Sequence, residues 1–371
     1  MKKNFYAALV PALMLGFVTC GIVACGNDDD NDVNPGTEQP GDDGNKETSE
    51  PEQIVVTVDA NGNVKGNHRF SAIDDSSFLI DDIKYTAESG DLFVTGFDKA
   101  YFKGEAKIIT TLDYQGRRLE VKGIANDAFR GCNALTAISI PSGVTSIGNA
   151  AFYGCTGLTS ITIPNGVTRI GYIAFYGCTG LTSITIPNSV TFIGNYAFYG
   201  CTGLTSITIP NGVTSIHDYV FYGCTGLTSI TIPSSVTFIG NYAFFDCTGL
   251  TSITIPNGVT SIGSAAFSDC TGLTSITIPN GVTSIRSAAF SGCTGLTSIT
   301  IPNSVTFISS YAFSGCTGLK DIYCYAVNPP PTTRNSFGSV SLFEVTLHVP
   351  AESIDKYKSD WGGFGSIVAI E

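Results

Sequence analysis

The sequence predicts a β-rich solenoid with a cap at each end, and two observations support that prediction. Phenylalanine and cysteine each recur at steps of 23 residues through the central part of the chain, and self-similarity of this period is typical of stacked repeats. Each unit also contains an Ile-Thr-Ile segment, whose alternation indicates a strand with one buried side. The phenylalanine column is Phe129, Phe152, Phe175, Phe198, Phe221, Phe244, Phe267, Phe290 and Phe313, and the cysteine column is Cys132, Cys155, Cys178, Cys201, Cys224, Cys247, Cys270, Cys293 and Cys316.

The unit that begins at Leu158 shows how one coil is expected to fold. Leu158–Ile163 is predicted as a strand whose leucine and isoleucines face the core, so Ser160 and Thr162 face outwards. Ala174–Cys178 is predicted as a tight turn that leads to the next coil. A single coil cannot bury enough apolar surface to fold alone, so stability must grow as coils stack. The outward hydroxyl face is interpreted as a soluble β-surface, with an ice-binding face as the alternative.

Residues 1–24 are predicted to be a lipoprotein signal peptide, because two lysines are followed by an apolar stretch and then by small residues. The apolar core is too short for a membrane span. Ile22–Cys25 resembles the bacterial lipobox, which implies that Cys25 becomes the lipidated first residue of the mature protein. Cys20 is an alternative lipidation site, and an ordinary signal peptide with a chance cysteine is another interpretation.

Residues 25–52 are predicted to be a disordered acidic linker behind the lipidated cysteine. From residue 26 onwards this segment contains ten acidic residues and one basic residue, Lys46, and such a composition cannot bury a core. Its first residues, Gly26–Asp30, resemble the acidic export signal of surface lipoproteins in Bacteroidota. The resemblance implies a protein anchored by its lipid on the extracellular face of the outer membrane. A solvated linker without an export role is the alternative.

Two segments beside the repeats are predicted to be caps. Residues 53–118 are expected to form a β-rich N-terminal cap, in which Phe78–Tyr85 and Leu92–Phe97 pair as a hairpin. The repeats proper occupy 119–325. Residues 326–371 are expected to form a C-terminal cap, with Trp361 as a plug in its core rather than a ligand platform.

The cysteine column is predicted to consist of buried free thiols. Equivalent residues of stacked coils lie about 4.8 Å apart, and this Cα separation is within the range that a disulfide can bridge. Side chains in one column point the same way, however, so the geometry of a disulfide is not met, and the thiols are interpreted as small hydrophobic groups. Cys324 is expected in the core as well. Metal binding or redox sensing is the alternative, and both would need exposed thiolates.

The repeat unit, LxxIxIPxxVxxIxxxAFxxCxx, resembles that of the BspA-like leucine-rich repeat surface lipoproteins of Bacteroidota. The resemblance is strong over about 119–325 and extends to the C-terminal segment. It implies a leucine-rich-type, right-handed repeat stack of 23-residue coils, and a role as an adhesin for host matrix proteins or other bacteria. One departure is that Gly166 stands where the general leucine-rich pattern has Asn or Cys. The ligand face of ordinary leucine-rich repeats therefore cannot be transferred.

Variation between the repeats points to a candidate binding surface. The place after the repeated phenylalanine is aromatic in five successive coils and then becomes serine, and a second variable place adds further tyrosines. An aromatic stripe with hydroxyl groups suits contact with a protein or a glycan, while packing between turns is the alternative. The candidate ligand-binding residues are Tyr153, Tyr176, Tyr199, Tyr222 and Phe245 in the first set, and Tyr196, Tyr219 and Tyr242 in the second. Phe192 and Phe238 are expected near them on the turn side of the coils.

The repeat body has few titratable groups and none of the common catalytic motifs, so the sequence predicts a binding protein and not an enzyme. No cofactor and no metal site are expected, and the net charge of −12 makes nucleic acid an unfavourable partner. The first hypothesis is an adhesin for host matrix or bacterial surface proteins. The alternatives are a surface glycan-binding module for nutrient capture and a structural component of a surface layer.

Overall fold

The structure is a computed structural model, and it describes residues 53–60, 63–333 and 335–370. The predicted signal peptide, Cys25 and the acidic linker lie outside the described residues. Within the described ranges, no helix has the length and apolar character that crossing a bilayer requires.

Nine strands precede the first complete coil. Successive antiparallel strands form a meander, and its last long strand, β6, pairs in parallel with β9, the strand that leads into the repeats. The backbone hydrogen bonds of this segment therefore continue into those of the solenoid. The strands are β1 (Val55–Val58), β2 (Val64–Lys65), β3 (Phe70–Ala72), β4 (Ser77–Ile80), β5 (Ile83–Glu88), β6 (Asp91–Phe97), β7 (Gly104–Lys107), β8 (Thr111–Tyr114) and β9 (Arg117–Ile124).

One prediction for this segment was wrong. Phe78–Tyr85 was expected to be a single strand, but it is divided into β4 and β5 by a tight turn at Asp81 and Asp82. Both aspartates have positive φ, of 48° and 68°. Short polar side chains tolerate this conformation, so the chain reverses where the hydrophobic pattern alone indicated continuity.

Most coils of the solenoid contribute a first strand at the repeated isoleucine, while the coil at Ser252 has only an isolated bridge to Ser275 there. Several of these strands pair in parallel with the equivalent residues of the next coil, for example Ile161 with Ile184. Ser160 and Thr162 are exposed while Ile161 is buried, as the alternation predicted, although the strand is shorter than Leu158–Ile163. The strands are β10 (Leu135–Ser139), β12 (Ser160–Thr162), β14 (Ser183–Thr185), β16 (Ser206–Thr208), β18 (Ser229–Thr231), β21 (Ser275–Thr277), β23 (Ser298–Ile301) and β25 (Asp321–Cys324).

A second column of very short strands follows in each coil and was not predicted. It forms where Val167 and Ile170 both point into the core, and Ile170 pairs with Ile193 of the next coil. The strands are β11 (Ser146–Ile147), β13 (Arg169–Ile170), β15 (Phe192–Ile193), β17 (Ser215–Ile216), β19 (Phe238–Ile239), β20 (Ser261–Ile262), β22 (Ser284–Ile285) and β24 (Phe307–Ile308).

The core of the solenoid is made of continuous columns, which confirms the predicted fold class. The rings of the repeated phenylalanines are fully buried and stack with centroids 5.2–5.6 Å apart. The ten described cysteines are buried and free. From Cys155 to Cys316, each thiol of the column donates to a carbonyl of the preceding coil, as Cys178 does to the Phe152 carbonyl at 3.1 Å. The thiols therefore add hydrogen bonds between coils as well as filling space.

The C-terminal segment continues the first strand column. Strand β26 (Thr346–Val349) pairs with β25, and β27 (Ser366–Ala369) pairs with β26, all in parallel. Between them lie the 3-10 turns Leu342–Glu344 and Ala351–Ser353 and the helix α1 (Ile354–Asp360). Trp361 is buried, as expected, and its Nε1 donates to the Pro330 carbonyl at 3.0 Å.

Candidate functional site

In most coils, though not at the buried Ser268, the turn that follows each repeated phenylalanine places one side chain at the surface. Tyr153 is such a residue, and the next residue, Gly154, has a φ of 68°, a conformation that glycine adopts without steric cost. The Tyr153 carbonyl accepts a hydrogen bond from the Gly131 amide of the preceding coil at 2.7 Å. Because this bond recurs along the stack, the side chains after the phenylalanines are held in register.

The five aromatic residues at this place form a continuous stack, which we call the long column. Neighbouring rings are parallel within 7°, and their centroids are 4.5–4.8 Å apart. Each ring is half-buried, so its faces contact neighbouring rings while its edge and any hydroxyl reach solvent. The long column consists of Tyr153, Tyr176, Tyr199, Tyr222 and Phe245.

A second stack, the short column, consists of Tyr196, Tyr219 and Tyr242. Its ring centroids are 4.6 and 4.8 Å apart along the column, and each ring lies 5.8–6.0 Å from a ring of the long column. The structure thus brings all eight predicted ligand-binding residues into one surface. We call the two columns together the aromatic ladder.

The three tyrosines of the short column have a backbone conformation that is unfavourable for tyrosine. Tyr196, Tyr219 and Tyr242 have φ values of 60°, 60° and 55°. Only glycine and small polar residues adopt this region routinely, and other residues cost about 1–2 kcal/mol there. The bonds between coils maintain it, since the Tyr219 amide donates to the Asn241 carbonyl at 3.0 Å. Other coils have Ala150 or Ala265 at this place, so a bulky ring is not needed for the turn.

The pKa of five phenols in the ladder is raised, which favours their neutral form: Tyr176, Tyr196, Tyr199, Tyr219 and Tyr222. Burial raises the pKa of Tyr176 to about 12, and the neighbouring phenols of Tyr199 and Tyr153 raise it as well. Burial, together with Tyr196 and Tyr242, also raises the pKa of Tyr219 to about 12. At neutral pH the ladder therefore offers uncharged hydroxyl groups that can donate and accept hydrogen bonds.

Phe192 and Phe238 do not join the ladder, contrary to expectation. They lie in the second strand column, in β15 and β19. The Phe192 ring lies under the Arg169 guanidinium, with 4.4 Å from Cζ to the ring centroid, and its ring neighbours are Tyr172 and His217. The 23-residue period alone could not distinguish Phe192 and Phe238 from the residues of the ladder, because the second strand column was not predicted.

Three charged residues beside the ladder were missed by the sequence reasoning. Arg130 lies one repeat before Tyr153, with its Cζ 4.5 Å from the centroid of that ring. Asp246 and Asp269 stand where most other coils have glycine. All three could have been found as departures from the repeat, Arg130 at the aromatic place itself and the two aspartates at the place that follows it. Among the described residues, no group of three or more His, Cys, Asp and Glu side chains could hold a metal ion.

Comparison with protein families gives one match. The profile of the BspA-type leucine-rich repeat region matches residues 122–251 and 239–358, with six copies of the repeat. The chain belongs to the BspA-type leucine-rich repeat family. This match confirms the resemblance stated from the sequence. BspA-type repeats are scaffolds of the leucine-rich class, to which protein-binding or adhesion roles are ascribed.

Solved structures similar to this BspA-type protein come from several bacteria. A leucine-rich cell surface protein from Faecalibacterium prausnitzii is 25% identical, with a TM-score of 0.48, and the match covers 81% of this chain and 96% of that one. A leucine-rich repeat protein from Bacteroides ovatus is 27% identical, with a TM-score of 0.41, covering 79% and 100%. The leucine-rich repeat protein of T. pallidum is 27% identical, with a TM-score of 0.36, covering 64% and 88%. None of the curated proteins compared with the chain matches it.

Proposed function

We propose that this BspA-type protein is a non-enzymatic surface adhesin that binds host matrix proteins or bacterial surface proteins through its aromatic ladder. The observation that carries the proposal is the pair of stacked aromatic columns, half-exposed on a solenoid body with few charges. Tyrosine is enriched at the centres of protein interfaces, since it combines a large apolar area with a hydroxyl group.

The arrangement of the rings favours a protein partner over a glycan. A sugar ring is commonly held by stacking against an open aromatic face. Within the ladder the faces are already in contact, for example Tyr176 with Tyr199 at 4.5 Å. What remains accessible is a row of ring edges and neutral hydroxyl groups. Such a row fits the mixed polar and apolar surface of a protein.

The test replaces the centre of the ladder with residues that the fold already uses there. The variant Tyr176→Ser, Tyr199→Ser, Tyr222→Ser copies Ser268, Ser291 and Ser314, the natural residues at the same place in later coils. The matched control removes three aromatic groups elsewhere: Tyr172→Asn, Phe192→Ser and Phe238→Ser, which also copy other coils. Both variants and the parent are assayed against extracellular matrix proteins, bacterial cells and a polysaccharide array.

We expect binding to a protein ligand to fall at least about tenfold in the ladder variant and to stay unchanged in the control. Circular dichroism verifies that both variants are folded. Unchanged binding of a folded ladder variant to every ligand found would refute the proposed site. Binding confined to polysaccharides would replace the adhesin proposal with the glycan alternative.

We also propose that Cys25 carries the lipid anchor and that the protein is displayed on the extracellular face of the outer membrane. The support is the lipobox-like segment and the acidic residues after it. Labelling with a radioactive fatty acid should mark the parent and not Cys25→Ala, while Cys20→Ala should be labelled like the parent. Protease added to intact cells should degrade the displayed protein. Labelling of Cys25→Ala, or full resistance to protease, would contradict this assignment.

A further inference from the structure

The residue that follows the isoleucine of each second strand joins most coils to the coil before them. Its amide donates a hydrogen bond to the carbonyl of the isoleucine in the preceding coil, as Gly194 does to Ile170 at 3.0 Å. Glycine suits this place, because a Cβ added at Gly194 would lie 2.6 Å from the Tyr172 amide nitrogen of the preceding coil. The bond therefore forms where two backbones approach closely.

Two coils have a large side chain at this place, and both lack the bond. The residues are His217 and Arg286, and within the described parts of the chain neither amide donates to a backbone carbonyl. The second strands are unpaired at the same two interfaces, between β15 and β17 and between β20 and β22. A small side chain is accommodated, since the Ser309 amide still donates to the Ile285 carbonyl at 2.9 Å. The loss of pairing thus follows the size of the side chain.

The interface before His217 has fewer bonds than the one before Arg286, and we call it the seam. It lies between the coil 181–203 and the coil 204–226. The first strands β14 and β16 are also unpaired there, whereas a bridge joins the first strand column at the other interface. Among the described residues, the one backbone bond on the strand side of the seam joins the Thr205 amide to the Thr182 carbonyl, at 3.3 Å.

The turn side of the seam is intact. The Tyr196 amide donates to the Asp218 carbonyl at 3.1 Å. The Gly200 amide donates to the Tyr222 carbonyl at 2.8 Å. The long column continues here, with the ring centroids of Tyr199 and Tyr222 4.5 Å apart. The two coils are therefore joined along the ladder and unpaired along both strand columns.

We propose that the seam, which the His217 side chain holds open, is a hinge at which the two parts of the solenoid bend about an axis along the aromatic ladder. Bonds on one side only allow rotation about that side, because few hydrogen bonds must break on the other. The bending is limited to small angles, since the Phe198 and Phe221 rings still pack across the seam, 5.6 Å between centroids. This inference concerns motion of the chain and does not depend on the proposed ligand.

Hydrogen exchange of the full chain tests whether the strand side of the seam is open. The Thr214 amide lacks a backbone acceptor among the described residues, while the equivalent Thr237 amide, one coil later, donates to the Thr214 carbonyl at 2.9 Å. We expect Thr214 to exchange at least about 100-fold faster than Thr237, and His217→Gly to reduce this difference to less than about tenfold. Ser309→Gly, where pairing already exists, is the control and should change neither rate. Equal exchange in the parent, or an unaltered difference in His217→Gly, would overturn the inference.

Residual dipolar couplings of the backbone amides test the bending itself. Amides of one rigid body fit a single alignment tensor, whereas parts that move relative to one another need tensors of different magnitude. We expect the coils 181–203 and 204–226 to need separate tensors in the parent and one common tensor in His217→Gly. The coils 158–180 and 181–203 are the internal control, since both of their strand columns are paired, and they should share one tensor. One common tensor across the seam of the parent would show that there is no hinge.

Discussion

Asp246 and Asp269 show how a single place in a repeat can oppose the stability of the fold. Both have positive φ, and both carboxylates are partly buried without a counter-ion among the described residues. Their raised pKa means that folding favours the protonated acid. The stability they contribute is therefore present below the ordinary pKa of aspartate and is lost as the pH rises through the raised pKa.

We expect Asp246→Gly combined with Asp269→Gly to increase the free energy of unfolding by about 1 kcal/mol at pH 7. The gain should be smaller at pH 3, where the carboxylic acids of the parent are protonated. Urea unfolding at both pH values measures it, with Asp355→Gly, an exposed acid in α1, as the control. A loss of stability at pH 7 would mean that the carboxylates have stabilising partners.

At the scale of the element, the close spacing of coils determines which residues the turns accept. A Cβ added at Gly203 would lie 2.5 Å from the Thr179 carbonyl oxygen of the preceding coil. The strands on either side fix that distance, so the backbone cannot move away freely. The equivalent residue is glycine in the neighbouring coils as well, at Gly180 and Gly226.

We therefore expect Gly203→Ala to lower the free energy of unfolding by roughly 1–3 kcal/mol, as overpacking does in other tightly packed sites. The adjacent Thr202→Ala, at an exposed residue, is the control and should change stability by less than about 0.5 kcal/mol. Thermal and urea unfolding of both variants measure the difference. Equal stability of Gly203→Ala and the parent would show that neighbouring coils can separate.

The elements differ in how far the sequence could predict them. Strands such as Ser160–Thr162 were predictable, since alternation and a 23-residue period define the inward side. The two-residue strands such as Arg169–Ile170 were not, because alternation needs a longer segment to become visible. The turn at Asp81 and Asp82 was missed because aspartate in a left-handed conformation looks, in sequence, like an ordinary polar interruption.

The candidate site was predictable as a set of residues but not in its geometry. The repeat register already aligned Tyr176 with Tyr199, so their proximity followed from the period. Tyr196 joins them and Phe192 does not. This difference arises from where the chain turns between the two strand columns. The proximity of Asp246 and Asp269 to Tyr222 needed the structure, because the sequence alone did not show which charged residues lie near the ladder.

For the whole molecule, we expect the tyrosines of the ladder to make the stability of the fold depend on pH in the alkaline range. Burial raises the pKa of Tyr176 and Tyr219 to about 12, so the neutral phenols stabilise the folded chain. That contribution is complete below the ordinary tyrosine value of about 10 and is lost between about pH 10 and 12. We expect the free energy of unfolding to fall over this window, in step with the rise of tyrosinate absorbance. The variant with Tyr176→Ser, Tyr199→Ser and Tyr222→Ser should show a smaller fall, and an equal fall would contradict the assignment.

The solenoid should also tolerate the loss of a complete unit. Deletion of residues 274–296 removes one 23-residue period beyond the ladder and joins two coils that have the same register. Because each coil contacts mainly its neighbours, we expect a folded protein with lower stability and unchanged binding at the ladder. Deletion of residues 274–284, which is out of register, is the control and should unfold the chain. If both deletions unfold it, the coils are not equivalent.

The parallel register of the first strand column, in which Ile276 pairs with Ile299 as Ile161 pairs with Ile184, has a genetic consequence. Gene segments that encode nearly identical repeats can recombine out of alignment. Each such exchange adds or removes complete coils, whose strands still pair in the same register. Descendants of such a gene can therefore encode longer or shorter proteins without passing through a misfolded intermediate. The length of the solenoid, and the number of tyrosines on its surface, can therefore vary in steps while the structure of each coil is preserved.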